Sequence, residues 1–249
     1  MNRQGSDDLG RRYKGELRKL EIMRAAARRF LKDGYTNTHV SYIAKELKIS
    51  PGNLTFHYPA KEDMLAELVE LLGGFQQEMV EREISEGYSS IMAICLELAA
   101  MASMCEDDEI IKDFYISAYR SPLCLEIIRK NDTARAKEVF KEYCQSWSNA
   151  RFEEAEILVS GIEYSTLMST HGAVSLELRI EGALDTILSI YNVPEELRKT
   201  KIDRVLSMDY HKIGHGMLND FKDYVEKTSL QVLMNLQTQR RKEYEPNIG

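Results

Sequence analysis

The sequence has few of the residues that interrupt helices. Five prolines and fourteen glycines occur in 249 residues, while long stretches are rich in Ala, Leu, Glu, Lys, Met and Arg. These six are strong helix formers, whereas proline and glycine are the weakest. We therefore expect an all-α chain, and its 43% of hydrophobic residues suffices for a sizeable core.

Membrane-spanning apolar runs and paired cysteines are also missing. No apolar run approaches the roughly 18 residues of a transmembrane helix, and the polar N-terminus lacks the apolar centre of a signal peptide. The four cysteines (Cys95, Cys105, Cys124 and Cys144) form no CxxC pair, which predicts free, buried thiols. These absences predict a cytoplasmic protein without a membrane partner.

Motifs of common enzymes are missing too. The sequence contains no glycine-rich phosphate loop, no GxSxG and no HExxH. His211 and His215 are four residues apart, so both could face one metal ion from a helix. Gly214 and Gly216 weaken such a helix, however, and no third ligand is evident. We therefore predict a chain that is not an enzyme and that needs neither a cofactor nor a metal.

The net charge of −7 is unevenly distributed. Residues 1–63 hold thirteen Lys/Arg and eight Asp/Glu, a balance of +5, whereas the remaining 186 residues hold twenty and thirty-two, a balance of −12. Such an asymmetry is expected where only the basic segment meets phosphates, although chance clustering also produces it.

Apolar spacing predicts two helices in the basic segment. One apolar face runs from Leu20 to Phe30, and Gly34 is placed to end that helix. A second face runs from Val40 to Leu47, and we expect Thr38 to cap the helix that carries it.

A third, very short helix is predicted between two prolines. Ser50 is a good N-cap and Pro51 suits the first helical position, while Pro59 disfavours helix beyond about Tyr58. Leu54 and Tyr58 are four apart and can anchor this helix on the first two. The side chains that then face outward are Asn53, Thr55, Phe56 and His57.

Two short helices joined by a few residues and braced by a longer one have the shape of a helix-turn-helix. The second helix of such a unit lies in the major groove of DNA, so its outward side chains need not be buried. The alternative is a small helical subdomain whose aromatic side chains fill a core.

The segment EIMRAAARRFLKDGYTNTHVSYIAKELKISPGNLTFHYPAKEDML resembles the DNA-binding domain of the TetR family of bacterial transcriptional regulators over about residues 18–68. The resemblance implies a homodimer that binds a pseudo-palindromic operator, and a helical C-terminal domain whose small-molecule effector usually releases the DNA. It divides the chain into a flexible basic arm over 1–15, a helix-turn-helix DNA-binding domain over 16–63, and a helical ligand-binding and dimerisation domain over 64–249. The arm could instead be a frayed terminus.

The resemblance also implies DNA contacts at particular positions. Backbone and side-chain contacts fall on the turn and third helix, phosphate contacts on the outer side of the second helix, and a backbone anchor on the lysine after the third helix. These residues are Ser41, Tyr42, Ser50, Pro51, Gly52, Asn53, Thr55, Phe56, His57 and Lys61. The sequence departs from the family pattern at His39, Thr55 and Phe56, and at Ala60, where a capping Ser or Asn is common.

The effector pocket implied by the resemblance would lie among the C-terminal helices. Methionines adapt to irregular apolar shapes, and Tyr and His supply isolated hydrogen bonds. The candidates are Met92, Cys95, Met101, Tyr115, Tyr119, Tyr143, Trp147, Tyr164, Met168 and His171, which could equally fill a core. We expect an apolar or amphipathic effector. The acidic balance hints at a cationic or neutral one, although surface charge need not match pocket charge.

For the dimer interface we expect helices at about 152–191 and 212–240. The anchors predicted in the second are Phe221, Val225, Leu233 and Leu236. Gly73 and Gly74 in the fourth helix could form a hinge or permit close packing. The chosen interpretation is a TetR-like repressor, and the alternative is a helical small-molecule-binding or enzymatic protein that does not bind DNA.

Overall fold

The structure, a computed structural model, describes residues 3–85 and 87–235, with side chains from residue 13 onward. The described residues contain helices and no strand, as predicted. The helices with defined bounds are α1 (Arg3–Asp33), α2 (Val40–Glu46), α3 (Pro51–His57), α4 (Lys61–Ser85), α5 (Ser90–Asp107), α6 (Glu109–Arg120), α7 (Pro122–Val139), α8 (Asn149–Met168), α9 (Leu176–Ile190), α10 (Glu195–Leu206) and α11 (Tyr210–Lys227).

The first three helices pack around a shared apolar centre. Phe30 of α1, Ile43 of α2 and Leu54 of α3 are all fully buried. Gly34 has a φ of 88°, a left-handed conformation that ends α1 as predicted. Residues 3–15, predicted as an arm, have helical backbone and belong to α1.

The predicted cap of α2 is wrong by one residue. α2 begins at Val40, so His39 holds the N-cap position, where its side chain makes no capping hydrogen bond. Thr38 is buried and its hydroxyl donates to the carbonyl oxygen of Gly34 at 2.7 Å. Thr38 therefore fixes the turn between α1 and α2.

α5 forms the centre of the larger domain. Its sequence SIMAICLELAAMASMCED is apolar on all sides, and it is surrounded by α4, α6, α8, α9, α10 and α11. A helix that is apolar all round must be covered by neighbours on every side. The four cysteines are buried and free, as expected.

The long C-terminal helix predicted over 212–240 is interrupted. α11 ends at Lys227, and helical backbone resumes only at residues 230–235. The hydroxyl of Thr228 donates to the carbonyl oxygen of Tyr224 at 2.8 Å, and the hydroxyl of Ser229 accepts from the N–H of Val232. Hydroxyl groups that bond to the nearby backbone in this way favour helix ends.

The dimer anchors predicted in this segment are wrong, because they belong to the core of one subunit. Phe221, Val225 and Leu233 are 3%, 2% and 0% exposed. The ring centroids of Phe221 and Phe75 are 5.4 Å apart, which packs α11 on α4. Leu236 lies outside the described residues.

Among residues 3–85 and 87–235, no helix combines the length and the apolar character of a membrane span.

Candidate DNA-binding surface and effector site

The third helix has the predicted start, anchor and exposed face. The Ser50 hydroxyl accepts a hydrogen bond from the N–H of Asn53 at 3.1 Å, and Pro51 holds the first helical position. Leu54 is fully buried, whereas Asn53 and Thr55 are exposed and Phe56 is 81% exposed. The fold thus leaves the ring of Phe56 open to solvent.

Tyr58 fixes the end of α3. Its hydroxyl donates to Oε2 of Glu67 at 2.5 Å, and the Nζ of Lys19 lies 5.2 Å from its ring centroid. Burial, together with the Glu67 carboxylate, raises the pKa of Tyr58 well above its usual value. Tyr58 therefore joins α3 to both α1 and α4.

His57 is half-buried at the inner edge of the exposed face. Burial and the nearby Lys19 ammonium lower the pKa of His57, so its ring is neutral at pH 7. The rings of Phe56 and His57 meet edge to face at 5.2 Å. His57 is thus a neutral hydrogen-bonding group at the edge of the exposed face.

The second helix presents Ser41 and Tyr42 to solvent, as predicted. The exposed Lys45 and Lys48 accompany them, although sequence reasoning did not select either. Lys48 has a φ of 55° in the turn before α3. Lys48 could have been selected from the sequence, because the turn of a helix-turn-helix lies next to the helix that enters the major groove.

Lys61 is bound within the protein. Its Nζ donates to the carbonyl oxygens of Tyr35 at 2.8 Å and Thr38 at 3.1 Å, and lies 4.1 Å from the Tyr35 ring centroid. Burial lowers the pKa of Lys61. Two of its three N–H donors thus hold the α1–α2 turn.

The absence of a capping side chain at Ala60 is partly compensated. The carboxylate of Asp63 accepts from the N–H of Ala60 at 2.8 Å. This is one half of a capping box, and Glu62 and Asp63 place negative charge in the first turn of α4.

Charged side chains meet in the interior of the larger domain. We call the set Glu97 of α5, Asp132 of α7, and Glu156 and Glu163 of α8 the acid cluster. Nη1 of Arg135 lies 3.1 Å from Oε2 of Glu97, and its Nη2 lies 2.5 Å from Oδ1 of Asp132. The guanidinium group thereby pairs with two of the four carboxyl groups.

The other two carboxyl groups are bound by tyrosines. The hydroxyl of Tyr119 donates to Oε2 of Glu163 at 2.8 Å, and the hydroxyl of Tyr191 donates to Oε1 of Glu156. Glu156 is 2% exposed, and within the described chain no hydrogen-bond partner reaches its Oε2.

Burial raises the pKa of all four carboxyl groups of the cluster. For Glu156, burial and the neighbouring Asp132 raise the pKa to about 8. Glu156 therefore retains a proton at neutral pH that an exposed carboxyl group would have lost.

Two small cavities adjoin the cluster. One, of about 40 Å³, is lined by Glu156 and Tyr191 among others, and the second, of about 30 Å³, by Tyr115 and Tyr119 among others. Glu97, Met101, Asp132, Arg135 and Glu163 line both.

An open groove of about 480 Å³ between α4 and α7 reaches the same cluster. Asp132 and Arg135 lie on its wall, beside Gly73 and Gly74. A Cβ atom on Gly73 would lie 2.4 Å from Nδ2 of Asn131. Gly73 therefore permits the close approach of α7.

Comparison with known proteins agrees with the N-terminal geometry. Residues 22–68 match the family described as bacterial regulatory proteins, tetR family. The match to this family thus covers the three helices of the N-terminal unit and the start of α4.

One curated relative spans most of the chain. The uncharacterized HTH-type transcriptional regulator YxaF of Bacillus subtilis (strain 168) is 24% identical over 182 residues, which cover 72% of this chain and 94% of that protein. Two solved structures of γ-butyrolactone receptors (ArpA-like proteins) are similar at 19% and 18% identity. The first has a TM-score of 0.43, and the match covers 78% of this chain and 98% of that one. The second has a TM-score of 0.38, and the match covers 84% of this chain and 99% of that one.

The residues predicted to bind an effector do not form one site. Met101, Tyr115 and Tyr119 line the cavities beside the acid cluster. Met92 and Cys95 are buried elsewhere on α5, and Tyr164 has its ring centroid 6.4 Å from that of Tyr119. Tyr143, Trp147, Met168 and His171 line neither cavity.

These last four residues have other surroundings. Trp147 packs on Phe152 and Tyr191 with ring centroids 5.1 Å and 5.8 Å apart, and Tyr143 is half-buried. Met168 and His171 are exposed near the turn between α8 and α9. Periodicity identified side chains that face inward, but could not show which of them surround a cavity.

Sequence reasoning did not select the charged residues that line the two inner cavities, although the position of Glu97 could have indicated them. It is the sole charged residue between Ile91 and Cys105, in an otherwise apolar helix. A lone carboxylate in a buried helix requires partners, which are supplied here by Arg135 and by Gln76, whose Nε2 donates to Oε1 of Glu97 at 2.6 Å.

An apolar face is left uncovered on α8 and α9. Ile157, Leu158, Met168, Val174 and Leu178 on or between these helices are 42–57% exposed. A Cβ atom on Gly161 or Gly182 would meet nothing within 4 Å. This face lies in the segment 152–191, the first of the two predicted for the dimer.

Proposed function

We propose that this TetR-family chain is a cytoplasmic repressor that binds a pseudo-palindromic operator as a homodimer and is released by a small-molecule effector. The observation that carries the proposal is α3, a rigidly anchored helix whose outer side chains are exposed. Asn53 can hydrogen-bond base edges, and Phe56 can contact a thymine methyl group. Ser41, Tyr42, Lys48 and the remaining N–H of Lys61 are available to phosphates.

The uncovered face of α8 and α9 supports a dimer. Exposed apolar patches on otherwise polar helices mark protein–protein contacts. Two copies meeting through α8 and α9 would form a four-helix interface related by a two-fold axis, which suits two recognition helices on a palindromic site. The small residues Gly161 and Gly182 allow the helices to approach closely.

The contacts of α6 support a link between effector and DNA. Oδ2 of Asp113 accepts from the N–H of Thr36 at 2.7 Å, so α6 holds the turn before α2. Tyr119 is six residues further on and binds the acid cluster. Ser121 at the end of α6 donates to the carboxylate of Glu62 on α4. A ligand that displaced α6 would therefore move the helix-turn-helix.

The test is a fluorescence anisotropy titration with duplexes tiled across the DNA upstream of its own gene. We expect saturable binding to one or two duplexes that weakens steeply with salt. The variants Asn53→Ala and Phe56→Ala should each cost about 1–3 kcal/mol on the preferred duplex and much less on random DNA. Ile84→Ala on α4 serves as a control within the DNA assay, because Ile84 is exposed and lies outside both α3 and the face of α8 and α9.

The alternative function, a helical protein without DNA-binding activity, makes the opposite prediction. It would show weak binding of equal strength to every duplex. It would also show no sequence-dependent effect of either α3 variant.

A further inference from the structure

We propose that the acid cluster of Glu97, Asp132, Glu156 and Glu163 binds an organic cation, a protonated amine or amidine carried on an apolar body. The proposal names the effector class for the regulator proposed above, and so rests on it for its biological role. The binding itself is independent of DNA.

The first argument is the imbalance of charge. Four carboxyl groups surround one guanidinium group, and Arg135 pairs with Glu97 and Asp132. Within residues 3–85 and 87–235, no ion pair reaches Glu156 or Glu163, which are bound by the neutral hydroxyls of Tyr191 and Tyr119. The nearby Arg129 instead donates from Nε to Ser160 at 2.9 Å. Arg135 acts on both carboxyl groups, and Arg129 on Glu156, only through longer-range attraction. A buried carboxylate without a cation in contact is costly, and an incoming cation would offset that cost.

The second argument is the open oxygen of Glu156. The side chain is 2% exposed, lines the cavity of about 40 Å³, and has no partner for Oε2 among the described residues. Buried polar atoms are nearly always hydrogen-bonded, so an exception at a cavity wall indicates a missing partner, which for the ionised carboxylate must be a donor. An ammonium or amidinium group supplies N–H donors and positive charge together.

The third argument is the aromatic wall beside that oxygen. Phe140 and Tyr191 line the same cavity and stack with ring centroids 4.1 Å apart. Aromatic faces attract organic cations and also accommodate their apolar bodies. An inorganic metal ion would gain little from such a wall, and no group of three or more His, Cys, Asp or Glu in the described chain is arranged to hold one.

The groove between α4 and α7 gives the cation a route. The two inner cavities hold only about 40 and 30 Å³, whereas the groove of about 480 Å³ opens to solvent and reaches Asp132 and Arg135. A ligand whose charged end passes Arg135 must part α4 from α7. The apolar body of the ligand would remain in the groove beside Gly73 and Gly74.

Cation binding should release protons from the carboxyl groups of the acid cluster, and the groups that face the cluster influence that release. They come from Gln76 of α4, Tyr119 of α6, Arg129 and Arg135 of α7, and Tyr191 at the end of α9. Because burial raises the pKa of the cluster carboxyls, the empty site holds protons that a cation must displace. Affinity for an amine should therefore rise with pH toward about 8, the pKa of Glu156.

Isothermal titration calorimetry with matched probes tests the inference. The probes carry a phenylbutyl or naphthylethyl body, each ending in an ammonium, hydroxyl or carboxylate group. We expect at least one amine to bind at least tenfold more tightly than its alcohol and its acid, with proton release detected in buffers of different ionisation enthalpy. If no amine binds more tightly than its alcohol on either body, the inference is overturned.

The matched variants are Glu156→Gln and Glu153→Gln, which remove the same charge from the same helix. Glu153 is exposed, so its change should leave amine binding intact, whereas Glu156→Gln should weaken it at least tenfold. Circular dichroism and thermal unfolding confirm that each variant is folded, and Tyr191→Phe is a second probe of the same carboxyl group. Equal amine affinity in Glu156→Gln and wild type would also overturn the inference.

Failure here is separable from failure of the proposed function. Operator binding without amine selectivity would leave the repressor and remove the cationic effector. Amine selectivity without operator binding would leave the cation site and remove the proposed repressor function.

Discussion

The carboxylate of Asp113 holds the turn that precedes the second helix. It accepts from the backbone N–H of Thr36 at 2.7 Å and from the Thr36 hydroxyl at 2.5 Å, across 77 residues of sequence. Asp113 lies on α6 of the larger domain and Thr36 in the turn between α1 and α2. The two domains are thus joined by a charge-assisted contact in addition to the continuous helix α4.

Replacing Asp113 by Ala should loosen this joint. Hydrogen bonds to charged groups contribute about 1.5–3 kcal/mol, so we expect a loss of unfolding free energy of that order. Amide exchange at Thr36 should accelerate, while exchange in α8 stays unchanged. Glu153→Ala is the control, and unchanged protection of Thr36 in Asp113→Ala would contradict the coupling described here.

Lys61 is predicted to have two roles that can be measured separately. Lys61→Ala removes both hydrogen bonds to the α1–α2 turn, so we expect a loss of stability of about 1–3 kcal/mol. If the remaining N–H also contacts a phosphate, affinity falls for every DNA sequence and the salt slope decreases by about one unit.

Lys199, an exposed lysine of α10, provides the matched control. Lys199→Ala should alter neither the stability nor the salt slope appreciably. Lower stability with an unchanged salt slope in Lys61→Ala would limit Lys61 to the turn and remove it from the DNA contacts.

The sequence predicted the DNA-binding domain closely because its signals are local. The Ser50–Pro51 start, the Pro59 stop and the spacing of Leu54 and Tyr58 act within one short helix, and each recurs in the structure. Thr38 failed as a cap because a shift of one residue moves a side chain from the helix start to the preceding turn.

The larger domain was less predictable because its contacts are distant in sequence. Glu97 meets Arg135 across 38 residues, and Tyr191 meets Glu156 across 35. Phe221 has the apolar spacing of an interface residue, but packing on Phe75 shows it to be core. Helical periodicity distinguishes buried from exposed faces and does not distinguish a core from a subunit interface.

The apolar face of α8 and α9 predicts a specific dimer-breaking change. Leu178 is 57% exposed, so Leu178→Glu should leave the fold of one subunit intact. In a dimer it would bury two carboxylates near the two-fold axis, at a cost of several kcal/mol. Sedimentation at micromolar concentration should show a dimer for the wild type and a monomer for this variant.

Ile84 of α4 provides a control, because it is 46% exposed and lies outside that face. Ile84→Glu should remain dimeric. A monomeric wild type at micromolar concentration would refute the interface, as would a dimeric Leu178→Glu.

The acid cluster predicts how stability depends on pH. The pKa of Glu156 is raised from an ordinary value of 4.5 to about 8, first by burial and then by Asp132. Between these values the folded state binds more protons than the unfolded state, so this carboxyl group makes stability fall as pH rises. One such group contributes a slope of at most about 1.4 kcal/mol per pH unit.

Glu156→Gln removes that group while keeping a hydrogen-bond acceptor for Tyr191. Urea unfolding at pH 5.5, 6.5 and 7.5 should therefore give a shallower decline than in the wild type, with the variant gaining relative stability as pH rises. Glu153→Gln should follow the wild-type curve, because its carboxyl group is exposed. Parallel curves for Glu156→Gln and wild type would show that Glu156 is already ionised and compensated in the folded protein. The cluster would then have no unmet demand for a cation, since a carboxylate that ionises freely at neutral pH has its countercharge in place.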